Sequence, residues 1–134
     1  FGLTKEKFVD ILKNKNTAVK VLLMDQKKIG GVGNIYANDA LFLAGIDPRR
    51  KAININLSES IKLFNTLEAV IADGIKYGGS SEMTYLNALG EKGSYQDHSP
   101  IYGKKGKHCP KCKYLIQMVR LGGRSTFLCP TCQV

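Results

Sequence analysis

Two Cys-x-x-Cys pairs, Cys109-Pro110-Lys111-Cys112 and Cys129-Pro130-Thr131-Cys132, stand sixteen residues apart in the last quarter of the 134-residue chain. Two residues between cysteines form a tight turn that aims both thiolates at one point, and two such knuckles complete a tetrahedron. Zinc accepts four thiolates in that geometry with no open coordination position, so the pattern predicts one structural zinc rather than a catalytic centre. The intervening residues suffice for a β-hairpin. Residues 115–119 and 125–128 have strand composition, and Gly122-Gly123 is the turn signal between them. Disulfides within the pairs would close only tiny loops and add little, and nothing else in the sequence points to an oxidising compartment. Iron in a rubredoxin-like site uses the same knuckles, and spacing alone does not separate it from zinc. His108, next to Cys109, is a surplus donor beside four thiolates and is expected on the surface.

A module this short cannot fold on burial alone and needs its metal. The preceding hundred residues are different, with enough apolar side chains for a core of their own. No apolar run approaches the ~18–20 residues of a membrane span. Charge separates the two parts further. The formal charge is +9, and beyond Asp97 there is no acid, while Lys104, Lys105, Lys107, Lys111, Lys113, Arg120 and Arg124 follow. A solvated basic tail would have this composition. A one-signed surface on a rigid hairpin points instead to a polyanion, of which nucleic acid is the commonest.

The first part reads as four helices. Residues 1–16 form the first, with Thr4 as N-cap, Leu3 and Phe8 as a hydrophobic staple, and Phe8, Ile11 and Leu12 on one face. Thr17 is placed to cap a second over residues 18–26. Gly30-Gly31-Val32-Gly33 then leads into a third, stopped by Gly45 and Pro48. Ser58 is placed to cap a fourth running to about Tyr77, with Ile61, Phe64, Leu67, Ile71 and Ile75 as its stripe and Gly78-Gly79 as its end. Glycines just ahead of a helix let an anion approach free N–H groups at the positive end of its dipole. The stretch is neither a dinucleotide fingerprint nor a Walker loop, because the third glycine and the Gly-Lys-Ser/Thr ending are both missing. From these residues alone, an ordinary interhelical turn and a phosphate site are both open readings. Arg49-Arg50-Lys51 reads most simply as a solvated patch. The turn-rich stretch from Gly78 to Pro100 is long for a loop in a compact domain, and loops of that length usually carry function.

In this order the parts resemble one family. Gly31-Val32-Gly33-Asn34-Ile35-Tyr36-Ala37, Leu41-Phe42 and Gly45-Ile46-Asp47-Pro48 are similar to the helix–two-turn–helix element of bacterial formamidopyrimidine-DNA glycosylases. Tyr102-Gly103-Lys104-Lys105-Gly106, the two cysteine pairs, Gly123-Arg124-Ser125-Thr126-Phe127 and Cys132-Gln133 are similar to that family's zinc finger. The resemblance covers essentially the whole chain. It implies an α+β protein: a mainly helical helix–two-turn–helix domain over residues 1–99, then a four-cysteine zinc β-hairpin over residues 100–134. One departure from the family pattern is Lys113-Tyr114 where a glycine often follows the first knuckle.

The resemblance also implies the function. Family members excise oxidised purines and cleave the strand at the abasic site, and their catalytic proline and glutamate open an N-terminal domain. Nothing in Phe1-Gly2-Leu3-Thr4 matches that start, so the chain is expected to be the DNA-gripping half and inactive alone. By position, Asn34, with the backbone of Gly33 and Ile35, is implied to hold phosphates flanking the extruded nucleotide. Arg124 is implied to grip the same backbone and to take a catalytic part in the second elimination step. Tyr102 is implied as a further phosphate contact, and Lys15 and Lys20 as DNA or lesion contacts. Residues 80–102 take the place of the segment that closes over the flipped base. The implied partner is double-stranded DNA with damaged bases or abasic sites, bound by a monomer in a bacterial, nucleoid-associated cytoplasmic setting. A non-catalytic zinc-dependent DNA-binding paralogue starting near Phe1 is the alternative, and a zinc-stabilised RNA- or protein-binding module is a third reading.

Overall fold

The computed structural model describes residues 2–76 and 99–134. Helix α1 spans Lys5–Lys13, and its Thr4 cap holds the Lys7 N–H at 3.2 Å. The helix is shorter than the sixteen residues expected because Asn14 leaves helical geometry and its amide turns back to the Asp10 carbonyl. Helix α2 is a single turn, Val19–Leu23, rather than residues 18–26. Its entry is set by tertiary pairing instead of a Thr17 cap: Val19 N–H bonds the Arg50 carbonyl at 2.7 Å, and the Thr17 carbonyl takes the Ala52 N–H at 2.8 Å. Its exit is set by Asp25, whose carboxylate and carbonyl accept from Lys27 and Ile29 to start the first of the two turns.

Helix α3, Asn34–Ala44, starts at Gly33 and ends at Gly45, whose left-handed φ of 74° suits a residue without a Cβ. A 3-10 turn, Ala52–Asn54, precedes helix α4, Leu57–Lys76. The cap of α4 is Asn56, two residues before the expected Ser58. Asn56 Oδ1 accepts from Glu59 N–H at 2.8 Å while Glu59 reaches back to Asn56 N–H at 3.1 Å, a reciprocal capping box. The buried face of α4 is Leu63, Phe64, Leu67, Val70 and Gly74; Ile61 and Ile71 lie at its margin and Ile75 is 77% exposed. The buried stripe is therefore rotated by part of a turn from the expected one. The rotation follows from Tyr36, which lies so close to α4 that a Cβ at Gly74 would fall on its hydroxyl and ring. The glycine stop at 78–79 and most of the loop expected over residues 80–102 lie outside the described residues.

The hairpin consists of β1, Gln117–Leu121, and β2, Arg124–Leu128, antiparallel with Leu121 opposite Arg124. Gly122 and Gly123 both take positive φ (58° and 77°), the two-residue turn that matches strand twist. The strands run right up to that turn, so β1 is displaced by two residues from the expected 115–119. Helix α3 ties the two parts together. Ile35, Tyr36, Ala37, Ala40 and Leu41 join the helical core with Phe8, Leu12, Leu63 and Leu67, while Phe42 enters a second cluster with Ile101, Ile116 and the cysteines. A helix buried at every position but Leu43 belongs to two cores at once.

Candidate nucleic-acid interface and metal centre

The cysteine sulfurs of residues 109, 112, 129 and 132 lie within 4.8 Å of one another, with Cys112–Cys129 at 3.4 Å and Cys109–Cys132 at 3.9 Å. A tetrahedron with metal–sulfur bonds of about 2.3 Å needs sulfurs nearly 4 Å apart, so the cluster fits one zinc. Cys109 and Cys129 are buried and the other two half-buried. Burial opposes the charged form of the Cys109 thiol, but the backbone N–H groups of Cys112 and Lys111 outweigh it and lower the pKa to about 7. Burial, with the neighbouring sulfurs, pushes Cys132 up to about 12 and raises Cys129 as well. Four adjacent thiolates therefore need a cation. His108 stays outside the group: it is exposed and its Nδ1 bonds the Lys113 carbonyl at 2.8 Å. Lys113, at the departure from the family pattern, takes a φ of 69°.

The second knuckle is stitched to the helical part. Gln133 is buried; its Oε1 accepts from Cys129 N–H at 2.8 Å and its amide donates to the Ile46 carbonyl at 3.0 Å. Asp39, buried on α3, accepts the Ser99 hydroxyl at 2.6 Å, and Ser99 Oγ takes the N–H groups of Ile101 and Tyr102. That bond fixes the root of the segment carrying Tyr102.

The loop ahead of α3 is braced by one side chain. Gln26 Oε1 accepts from Gly31 N–H at 3.2 Å while its amide donates to the Val32 and Met24 carbonyls. The brace presents Gly33, Asn34 and Ile35 as the first residues of α3, whose leading N–H groups have no partner within the helix. Asn34 and Ile35 are each 3% exposed.

Lys20 and Asn34 meet directly. Lys20, 1% exposed, donates to Asn34 Oδ1 at 2.6 Å, Thr126 Oγ1 at 2.7 Å and the Ser125 carbonyl at 3.4 Å. Asn34 Nδ2 donates to the Ser125 carbonyl at 3.1 Å and stands 3.5 Å from the Tyr102 hydroxyl, whose ring packs edge-on against Phe127. In this structure both residues join the finger to the helices. Lys15, Lys20 and Arg124 line one cleft of about 480 Å³ between α2 and the hairpin turn, with Lys28 as a further cation and Asp25 as an acid. Arg124 is exposed at the start of β2. The predicted residues thus form one run from Arg124 through Lys20 and Asn34 to Tyr102.

The sequence reading missed Asn38, Thr126, Gln26 and Gln133. Asn38 had a signal: it lies one turn beyond Asn34 in a helix otherwise apolar around that face, which marks a polar stripe facing protein.

Residues 2–85 match the family model described as the formamidopyrimidine-DNA glycosylase H2TH domain. The chain belongs to the formamidopyrimidine-DNA glycosylase family. Residues 106–134 match the zinc finger found in these glycosylases and in isoleucyl-tRNA synthetase. Among curated family members, the formamidopyrimidine-DNA glycosylase of Laribacter hongkongensis is 43% identical over 91% of this chain and 45% of its own length. That of Chloroflexus aggregans is 42% identical over 92% of this chain and 45% of its own. The chain spans about half the length of the curated relatives it matches.

Solved structures of the family superpose closely. The MutM (Fpg) protein of Thermus thermophilus matches at a TM-score of 0.88 and 37% identity, covering 97% of this chain and 50% of that one. Lactococcus lactis Fpg, in complex with DNA containing an abasic site, matches at 0.87 and 32% identity over 98% of this chain and 47% of that one. Among the described residues no helix is long and apolar enough to cross a membrane.

Proposed function

We propose that these residues are the DNA-gripping half of a bifunctional glycosylase and abasic-site lyase acting on oxidised purines in bacterial base excision repair. The observation that carries the reading is the continuity of Arg124, Lys20, Asn34 and Tyr102 across the joint between helices and finger. Flipping a nucleotide costs a few kcal/mol of unstacking, so both flanking phosphates must be gripped by groups of fixed separation. The start of α3 offers helix N–H groups and the Asn34 amide to one phosphate, and Arg124 offers a guanidinium to another. Arg124 has the further part in the second elimination step. Lys15 adds charge in the same cleft, and Lys20 acts through Asn34. Solved structures of relatives in complex with DNA containing an abasic site or carbocyclic 8-oxo-G support the substrate class. The protein works as a monomer on nucleoid DNA, with a boundary between helical domain and finger at residues 99/100.

The test is competition between a duplex containing an abasic-site analogue and the intact duplex of the same sequence. The proposal expects the abasic duplex to win by at least tenfold. Equal binding of both, or stronger binding of RNA, would support a general nucleic-acid module instead.

A further inference from the structure

We infer that Asn38 is a positioning residue for the backbone grip: it sets the register of β2 on α3, and with it the separation of Arg124 from Asn34. The inference rests on the function proposed above. In a hairpin closed by Leu121 and Arg124, hydrogen-bonded pairs alternate, so Ser125 and Phe127 turn their backbone groups to the free edge of β2. An open strand edge leaves N–H and C=O groups unpaired, and proteins blunt it with charges or bulges or cover it with a helix or loop. Here two asparagines one helical turn apart cover it. Asn34 Nδ2 donates to the Ser125 carbonyl at 3.1 Å, and Asn38 Oδ1 accepts from Phe127 N–H at 2.7 Å. Residues at i and i+4 share a helix face, which gives α3 two consecutive contacts along one strand.

The two contacts are not equivalent. Asn34 is shared: its amide also faces Tyr102, its Oδ1 holds Lys20, and in the proposed function it turns toward phosphate. Asn38 is committed to the joint. It is 1% exposed, and its own amide donates to the Asn34 carbonyl at 2.9 Å and Oδ1 at 3.3 Å. Lys20 reaches β2 at Ser125 and Thr126, close to the hairpin turn, so it cannot replace an anchor at Phe127. With Asn38 gone, β2 pivots about Ser125 and Thr126, and Arg124 swings away from the phosphate.

The test measures the salt dependence of binding to an abasic-analogue duplex, after circular dichroism and zinc content confirm folding. Each phosphate neutralised contributes roughly 0.9 to the log–log slope. Asn38→Ala should flatten the slope by about one unit, and Arg124→Ala added to it should flatten it no further. Asn38→Asp, which keeps the acceptor for Phe127 N–H, should retain the parent slope. A folded Asn38→Ala protein with the parent slope overturns the inference. An unchanged slope for Arg124→Ala alone overturns the grip reading, and the inference falls with it. A second measurement needs no variant: the Phe127 amide should stay protected from hydrogen exchange in the free protein and in the DNA complex. Loss of that protection on binding overturns the role given to Asn38.

Discussion

The helical part and the finger reach order by different physics. Phe8, Leu12, Leu23, Leu41, Leu63 and Leu67 are fully buried in one apolar cluster, so the helices stand on burial. The finger's cluster is small and consists largely of its own cysteines, with Phe42 borrowed from α3. Its fold depends on metal. Beside the apolar contact of Phe42, what joins them is polar: the Lys20, Asn34 and Asn38 seam and the Gln133 stitch. An apolar joint would be indifferent to small slips, whereas hydrogen-bonded groups fix a register. The proposed grip on two points of one strand needs that fixed register.

Removing zinc should have the largest effect and would break the comparison if it did not. Structural zinc in small modules supplies roughly 10–16 kcal/mol of apparent binding energy that serves as folding energy. Chelation should abolish the finger's dispersed NMR signals while most of the far-ultraviolet helical signal remains, and elemental analysis should find one zinc per chain. Bound thiolates must be deprotonated, and Cys132 and Cys129 hold their protons more tightly than usual without metal. Zinc affinity, and the finger with it, is therefore lost as pH falls. Collapse of the helices on chelation would show that they lean on the finger.

Gly74→Ala tests the burial side. Its Cβ would overlap the hydroxyl and ring of the buried Tyr36, so one of the two must shift and the cost should be about 1–3 kcal/mol by thermal unfolding. A neutral result would mean that α3 and α4 pack more loosely than described.

Smaller again is Glu59→Gln. Two hydrogen bonds from Arg50, at 2.6 and 2.9 Å, hold the Glu59 carboxyl below its usual 4.5. A depressed folded pKa means stability that is present above the unfolded value and lost as pH falls through the folded one. The variant should lose about 1 kcal/mol at neutral pH and converge with the parent below pH 4.5. A constant difference down to acid pH would show that shape, not charge, is at work there. Lys113→Gly should have the smallest effect and the opposite sign. It relieves a left-handed backbone of about 1–2 kcal/mol but adds chain entropy, for a net gain near 0.5 kcal/mol confined to the finger.

Periodic and covalent features were legible in the sequence: the knuckles, the Gly122-Gly123 turn, the Thr4 cap and the start and stop of α3. Elements whose ends depend on distant residues were not. The short α2 owes its bounds to pairing with residues 50–52, and the α4 face owes its rotation to Tyr36. The metal ligands could be named outright because spacing encodes them. Asn34, Lys20 and Arg124 were expected from the family pattern, but the bonds of Asn34 and Lys20 to β2 were not, because they join residues 91 and 106 positions apart. Asn38 was hidden for the same reason, since its partner is a backbone amide 89 residues away.

The claim that helix start and finger grip one DNA backbone is tested most directly by salt titration of the parent, Arg124→Ala and Asn34→Ala on one abasic-analogue duplex. Losing a cation on a phosphate should flatten the slope by about one unit for Arg124→Ala. Asn34→Ala removes a neutral contact while Lys20 and Asn38 still hold β2 at Ser125, Thr126 and Phe127, so it should weaken binding by ~1 kcal/mol and leave the slope unchanged. A folded, zinc-loaded Arg124→Ala protein with the parent's affinity and slope would contradict the account, because the finger would then not be on the DNA.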